Sequence, residues 1–126
     1  MAKKSILIVE DELSLLRILD QKFKQSGFSV LQAKDGLEGL ASGKQHHPDL
    51  MLVDIILPRL DGIDMLKQIR REGGEWGKKV PMILLTNLSD ADKAAEAMEH
   101  GVFDYLVKAD WKLEDVVKKV NEKLGL

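Results

Sequence analysis

Short aliphatic and β-branched runs alternate along this chain with longer stretches in which apolar residues recur every three or four positions. The first run, Ser5-Ile6-Leu7-Ile8-Val9, reads as a buried strand. Leu16, Leu19 and Phe23 then follow helical spacing until Gly27 ends the segment. Phe28 to Ala33 forms a second strand-like run, and Asp35-Gly36 turns the chain into a helix carrying Leu37, Leu40 and Ala41, up to about Gly43. Asp35 and Glu38 have the spacing of an N-cap and its capping-box partner. After Pro48, the run from Asp49 to Val53 ends on Asp54, and Asp61-Gly62 opens a helix with Met65, Leu66 and Ile69, Asp61 serving as its cap. Gly73 to Gly77 reads as a loop containing Trp76. Val80 to Leu85 is a fourth strand ending at Thr86. Ser89 can cap a helix with Ala91, Ala94, Ala95 and Met98 on one face, and Gly101 stops it. Val102 to Val107 is a fifth strand, and Leu113, Val116, Val117, Val120 and Leu124 mark a final amphipathic helix.

Five successive strand–helix units predict an α/β fold, doubly wound, with a parallel five-stranded sheet covered by helices on both faces. With 126 residues, the chain reads as one domain, 1–126, and its 44% hydrophobic content is enough for a core. Nineteen basic residues against 21 acidic ones give a net charge of -2, which argues against direct nucleic acid binding. The absence of cysteine removes disulfide and thiol chemistry. The apolar run Ile6 to Val9 is far too short for a signal core or a membrane span, so no membrane insertion and a cytoplasmic location are expected. His46 and His47 fall in a predicted loop and read as solvated, as do Lys118 and Lys119 on the last helix; Trp111 lies beside a loop.

The polar residues at the strand ends carry the chemistry. Glu10 and Asp11 follow the first strand, Asp54 the third, Thr86 the fourth and Lys108 the fifth. The carboxyl ends of parallel strands share one edge, where ligands bind near the switch point of the topology. Three carboxylates gathered there need a cation or protons. Oxygen ligands suit a hard cation such as Mg²⁺. A carboxylate nucleophile, a divalent cation, a lysine and a hydroxyl together describe a site that receives a phosphoryl group.

At this point the sequence resembles a known family, the CheY-like receiver domains of response regulators in two-component phosphorelays. The resemblance runs over essentially the full length. It is carried by Ile8-Val9-Glu10-Asp11, by Leu52 to Gly62 with Asp54 and Pro58, by Leu84-Leu85-Thr86, and by Asp104-Tyr105-Leu106-Val107-Lys108. It implies a flavodoxin-like (βα)5 fold with strand order 2-1-3-4-5. It implies that Asp54 is the phosphoacceptor, becoming a 4-aspartylphosphate. Asp11, Asp54 and the backbone carbonyl of Ile56 would ligate Mg²⁺, with Mn²⁺ able to substitute, and Glu10 would act through a bound water. Lys108 would pair with the phosphoryl oxygens, Thr86 would hydrogen-bond them, and Tyr105 would be the switch aromatic. Such a protein catalyses its own phosphorylation and dephosphorylation and is not a turnover enzyme on a separate substrate. Its implied partners are a sensor histidine kinase or phosphotransfer protein and a downstream protein, with homodimerisation through the fourth helix, fifth strand and fifth helix as a further option.

The chain departs from the family pattern in two places. Ala109 follows Lys108 where the family usually has proline after a cis bond, and Asn87 follows Thr86 where a small residue is usual. These motivate the alternative of a pseudo-receiver, the same fold acting as a phosphorylation-independent interaction domain. Apolar Ile56 and Leu88 flank the site and are expected to hinder the water that hydrolyses the phosphorylated form. A flavodoxin-like cofactor carrier is disfavoured because Glu10-Asp11-Glu12 would repel a phosphate after the first strand. A nucleotide-binding Gly-x-x-x-x-Gly-Lys loop is absent.

Overall fold

The structure, a computed structural model, describes residues 3–86, 91–102, 104–108 and 112–126. Eleven elements follow in the order β1 (Ser5–Val9), α1 (Leu13–Gln25), β2 (Ser29–Ala33), α2 (Gly36–His46), β3 (Leu50–Asp54), α3 (Gly62–Glu72), α4 (Gly74–Lys79), β4 (Met82–Thr86), α5 (Ala91–Met98), β5 (Asp104–Val107) and α6 (Leu113–Leu124). All strand pairs are parallel and the order is β2-β1-β3-β4-β5, as expected.

Strand periodicity divides the core in two. In β1 and β3, Leu7, Val9, Met51 and Val53 face one side, where they meet Met65, Leu66 and Ile69 of α3. Ile6, Ile8, Leu50 and Leu52 face the other, against Leu16, Leu19 and Phe23 of α1 and Val116 and Val120 of α6. Alternate residues of a strand point to opposite faces, so a strand apolar at every position needs cover on both sides. Phe23 and Phe28 meet edge to face, with centroids 5.5 Å apart.

The loop expected around Gly73 to Gly77 is helical instead, as α4 over Gly74–Lys79. Glycine content signalled a loop, but tertiary packing prevails. The Trp76 indole donates to the Pro48 carbonyl at 2.8 Å and stacks on His47, centroids 4.8 Å apart. His47 is therefore packed as well as exposed, and it sits in the left-handed region as the C-cap of α2, which runs three residues beyond the expected Gly43. The buried face of α5 is Ala94 and Ala97; Ala95 and Met98, expected on that face, point outward. The side chain of Ala91 and the proposed Ser89 cap lie outside the described residues, as does Trp111. Lys119 is not simply solvated, because it ion-pairs with Asp104 of β5. Among the described residues, no helix is long and apolar enough to cross a membrane.

Arg70 ties the helix ends together. Its guanidinium donates to the carbonyls of Gly77 in the last turn of α4 and of its C-cap Val80, and of His100 and Gly101 beyond α5, at 2.7–3.1 Å. Carbonyls at helix C-termini lack intrahelical donors, and a cation there also opposes the helix dipole.

Candidate functional site

Four strand ends build the site. Glu10 leaves β1 fully buried, its N–H donating to the Ala33 carbonyl of β2 at 3.0 Å. Asp11, next in sequence, is exposed. Asp54 ends β3 at 5% exposure and Thr86 ends β4 at 2%. Lys108 follows β5, and its backbone N–H donates to the Thr86 carbonyl at 2.7 Å. That bond carries the β4–β5 ladder one step past the strand and aims the lysine across the sheet edge.

The side chains converge. Lys108 Nζ lies 2.8 Å from Asp54 Oδ2 and 3.0 Å from Glu10 Oε1. Ligand oxygens of Glu10, Asp11 and Asp54 all lie within 4.8 Å of one another. Asp54 Oδ1 accepts from the Ile56 N–H at 3.2 Å, and Glu10 Oε2 accepts from the Glu12 N–H at 3.1 Å. Glu10 Oε1, close to Lys108 but not in hydrogen-bonding alignment with it, is buried without a hydrogen-bond partner.

Electrostatics explain why this corner calls for a cation. Three carboxylates against one ammonium leave two negative charges uncompensated. Burial, then the Asp54 charge, push the Glu10 carboxyl up to about 7. Burial opposes the Lys108 ammonium, but the Asp54 and Glu10 carboxylates outweigh it and hold its pKa above the ordinary lysine value. A hard divalent cation fits this donor set, because it would neutralise the excess charge and give the orphaned Glu10 oxygen a partner.

The loop between β3 and α3 leads out of Asp54 and is packed to backbone contact. A Cβ on Gly62 would fall 2.4 Å from the Asp54 carbonyl oxygen, and one on Gly36 1.7 Å from that of Leu60, so both positions exclude a side chain. Asp61 caps α3 by accepting from Ile63 N–H at 2.7 Å, as its sequence position predicts. Asp35 likewise accepts from Glu38 N–H at 2.8 Å, but the Glu38 carboxylate answers at Lys34 N–H, one residue before the cap. Ile56, whose carbonyl is the expected backbone ligand, carries a side chain 45% exposed at the rim.

The expected site residues thus divide by position. Glu10, Asp11, Asp54 and Lys108 meet in one cluster, and buried Thr86 stands beside Lys108 in the β4–β5 ladder. Tyr105 lies apart, 43% exposed on β5, lining a groove of about 390 Å³ with Asp115, Lys118 and Lys119. Asn87, Leu88 and Ala109, where the chain departs from the receiver pattern, lie outside the described residues. The sequence reading placed Asp35 only as a helix cap and missed its ion pair with Arg59, at 3.3 Å; neither stands at a position whose chemistry signals a site.

Comparison with known proteins agrees with this geometry. The family described as "Response regulator receiver domain" matches residues 6–121. The probable transcriptional regulator ycf27 of Porphyridium aerugineum is 39% identical over 108 residues, covering 86% of this chain and 43% of that protein. The alkaline phosphatase synthesis transcriptional regulatory protein PhoP of Bacillus subtilis (strain 168) is 35% identical over 105 residues, 83% of this chain and 42% of its own length. The chain therefore spans less than half the length of these relatives. Among solved structures, the receiver domain of sensor histidine kinase PA1611 from Pseudomonas aeruginosa PAO1, with a magnesium ion coordinated in its active-site cleft, superposes with a TM-score of 0.87. It shares 28% identity and covers 99% of this chain and 100% of that one. The chemotaxis response regulator CheY4 of Vibrio cholerae superposes at 0.86 with 25% identity, covering 96% and 98%. The chain belongs to the response-regulator receiver domains of two-component signalling.

Proposed function

We propose that this receiver is a phosphorylation-controlled switch with Asp54 as the phosphoacceptor. The observation that carries the reading is the placement of Asp54 2.8 Å from Lys108 and within the Glu10–Asp11 carboxylate cluster. Glu10, Asp11, Asp54 and the Ile56 carbonyl would hold Mg²⁺, which supplies charge neutralisation for the incoming phosphoryl oxygens. An Asp54 carboxylate oxygen attacks phosphorus as the P–N bond of a donor phosphohistidine breaks; the imidazole leaves with the bonding pair and takes up a proton. The product is an acyl phosphate on Asp54. Lys108, already ion-paired to Asp54, offsets the charge gained. Thr86 would hydrogen-bond the phosphoryl group, and Tyr105 would turn inward from its exposed position on β5.

The donor is a sensor histidine kinase or phosphotransfer protein. The output surface comprises α5, β5 and α6, including the groove beside Tyr105, and would take a downstream protein or a second copy of the chain. The net charge of -2 disfavours direct nucleic acid contact by this domain.

The decisive experiment is incubation with acetyl phosphate and Mg²⁺ followed by intact mass measurement. One added phosphoryl group is expected, lost in Asp54→Asn and in the presence of EDTA. Absence of any adduct in the unaltered chain would overturn the reading in favour of a phosphorylation-independent interaction domain.

A further inference from the structure

Between the bracketed ends of the β3–α3 loop, the backbone at Arg59 is strained. Its φ is +68°, a region that residues with a Cβ seldom adopt, and the Leu60 N–H donates to the Pro58 carbonyl at 2.7 Å across it. This is the γ-turn with positive central φ, the strained variant of that turn. Little apolar packing holds it, because the side chains at Ile56, Pro58 and Arg59 are exposed and only Leu57 is buried in this stretch.

Polar links to the start of α2 do hold it. Arg59 Nη1 lies 3.3 Å from Asp35 Oδ2, whose side chain is only 7% exposed. Asp35 is itself fixed, since its other oxygen caps α2 through the Glu38 N–H. Gly36 follows it and lies against the Leu60 carbonyl, with its N–H directed at the Pro58 carbonyl at 3.4 Å. The α2 N-terminus thus acts as an anchor for the turn, and Ile56 lies three residues before Arg59 in the same loop.

We propose that Arg59, pinned by Asp35, is a positioning residue that holds the β3–α3 loop in its strained turn and thereby presets the Ile56 carbonyl for the divalent cation. This inference rests on the cation site proposed above. A ligand fixed in advance does not have to be ordered when the cation binds, so loosening the loop weakens binding without removing any ligand.

The test is titration calorimetry with MgCl₂ on purified variants, beside urea unfolding of each. Arg59→Ala and Asp35→Asn should each weaken Mg²⁺ binding roughly two- to fivefold, the scale of one partly exposed ion pair. Asn still caps a helix, so Asp35→Asn separates the ion pair from the cap. The double variant should bind no more weakly than either single variant. Arg59→Lys should stay within about twofold of the parent, because the contact is made by a single nitrogen. Arg59→Gly distinguishes positioning from simple stability: it relieves the turn, so its unfolding midpoint should hold or rise while Mg²⁺ binding weakens. Parent-like affinity in both Arg59→Ala and Asp35→Asn would overturn the proposal. Absence of Mg²⁺ binding by the unaltered protein would instead overturn the cation site itself, and the proposal with it.

Discussion

Helices α3 and α5 cover the same face of the sheet but are held in different ways. Helix α3 buries Ile63, Met65, Leu66 and Ile69, whereas the buried side chains described in α5 are Ala94 and Ala97. A fully buried large aliphatic side chain contributes about 1.5–3 kcal/mol, an alanine methyl far less. What α5 lacks in apolar contact it receives as polar links to α3. Lys67 meets Glu96 at 2.9 Å, Lys93 meets Asp61 at 3.2 Å, and Arg70 grips the carbonyls of His100 and Gly101. Exposed ion pairs of this kind contribute about 0–1 kcal/mol each. The carboxylate corner between β1 and β3 is therefore backed by a rigid layer, while the helix after β4 rests on bonds that are cheap to exchange. A fixed carboxylate cluster beside a displaceable helix is an arrangement that suits the two-state switch proposed above.

The contrast can be broken most directly in the core. Leu66→Ala should cost about 2–5 kcal/mol in urea unfolding, and Ala97→Gly only about 1 kcal/mol. Equal costs would show that α5 is anchored as firmly as α3. The carboxylate corner is expected to respond to pH. Because the Glu10 pKa is raised from 4.5 to about 7, the folded state holds that proton more tightly than the unfolded chain. The contribution is complete below about pH 4.5 and lost as pH rises through about 7. Metal-free protein should lose up to roughly 3 kcal/mol across that window. Glu10→Gln should flatten the dependence, and Mg²⁺ should restore stability above pH 7; an unchanged slope in Glu10→Gln would remove Glu10 as its source. A more local effect concerns the tie between the helices. Arg70→Ala leaves four carbonyls without their donor and should cost about 1–3 kcal/mol, with hydrogen exchange rising first at the ends of α4 and α5. Uniform acceleration across α3 as well would contradict a local tie.

Much of the molecule was legible from residue pattern. The continuous apolar runs and the period-3.6 stretches located all five strands and five of the six helices among the described residues, and the ordered acidic and lysine residues at the strand ends foretold that Glu10, Asp11, Asp54 and Lys108 would meet. Helix α4 escaped because its two glycines read as a break, while its stability comes from Trp76 seated on His47 and Pro48, residues nearly thirty positions away. The outward turn of Met98 escaped because spacing defines a helical stripe without saying which edge of it meets the sheet. Arg59 and Asp35 lie 24 positions apart and gain meaning only when α2 and the β3–α3 loop are brought side by side.

The sequence by itself determined the α/β order and the chemistry available at the carboxyl edge, because periodicity and residue type are local properties of the chain. The tertiary structure decided how that chemistry is tuned. Burial drives the Glu10 carboxyl toward neutrality, Lys108 answers two carboxylates at once, and the α2 N-terminus meets a strained turn beside the carboxylate corner. Each of these depends on distances between segments far apart in the chain and on the water excluded between them, which only the folded chain fixes.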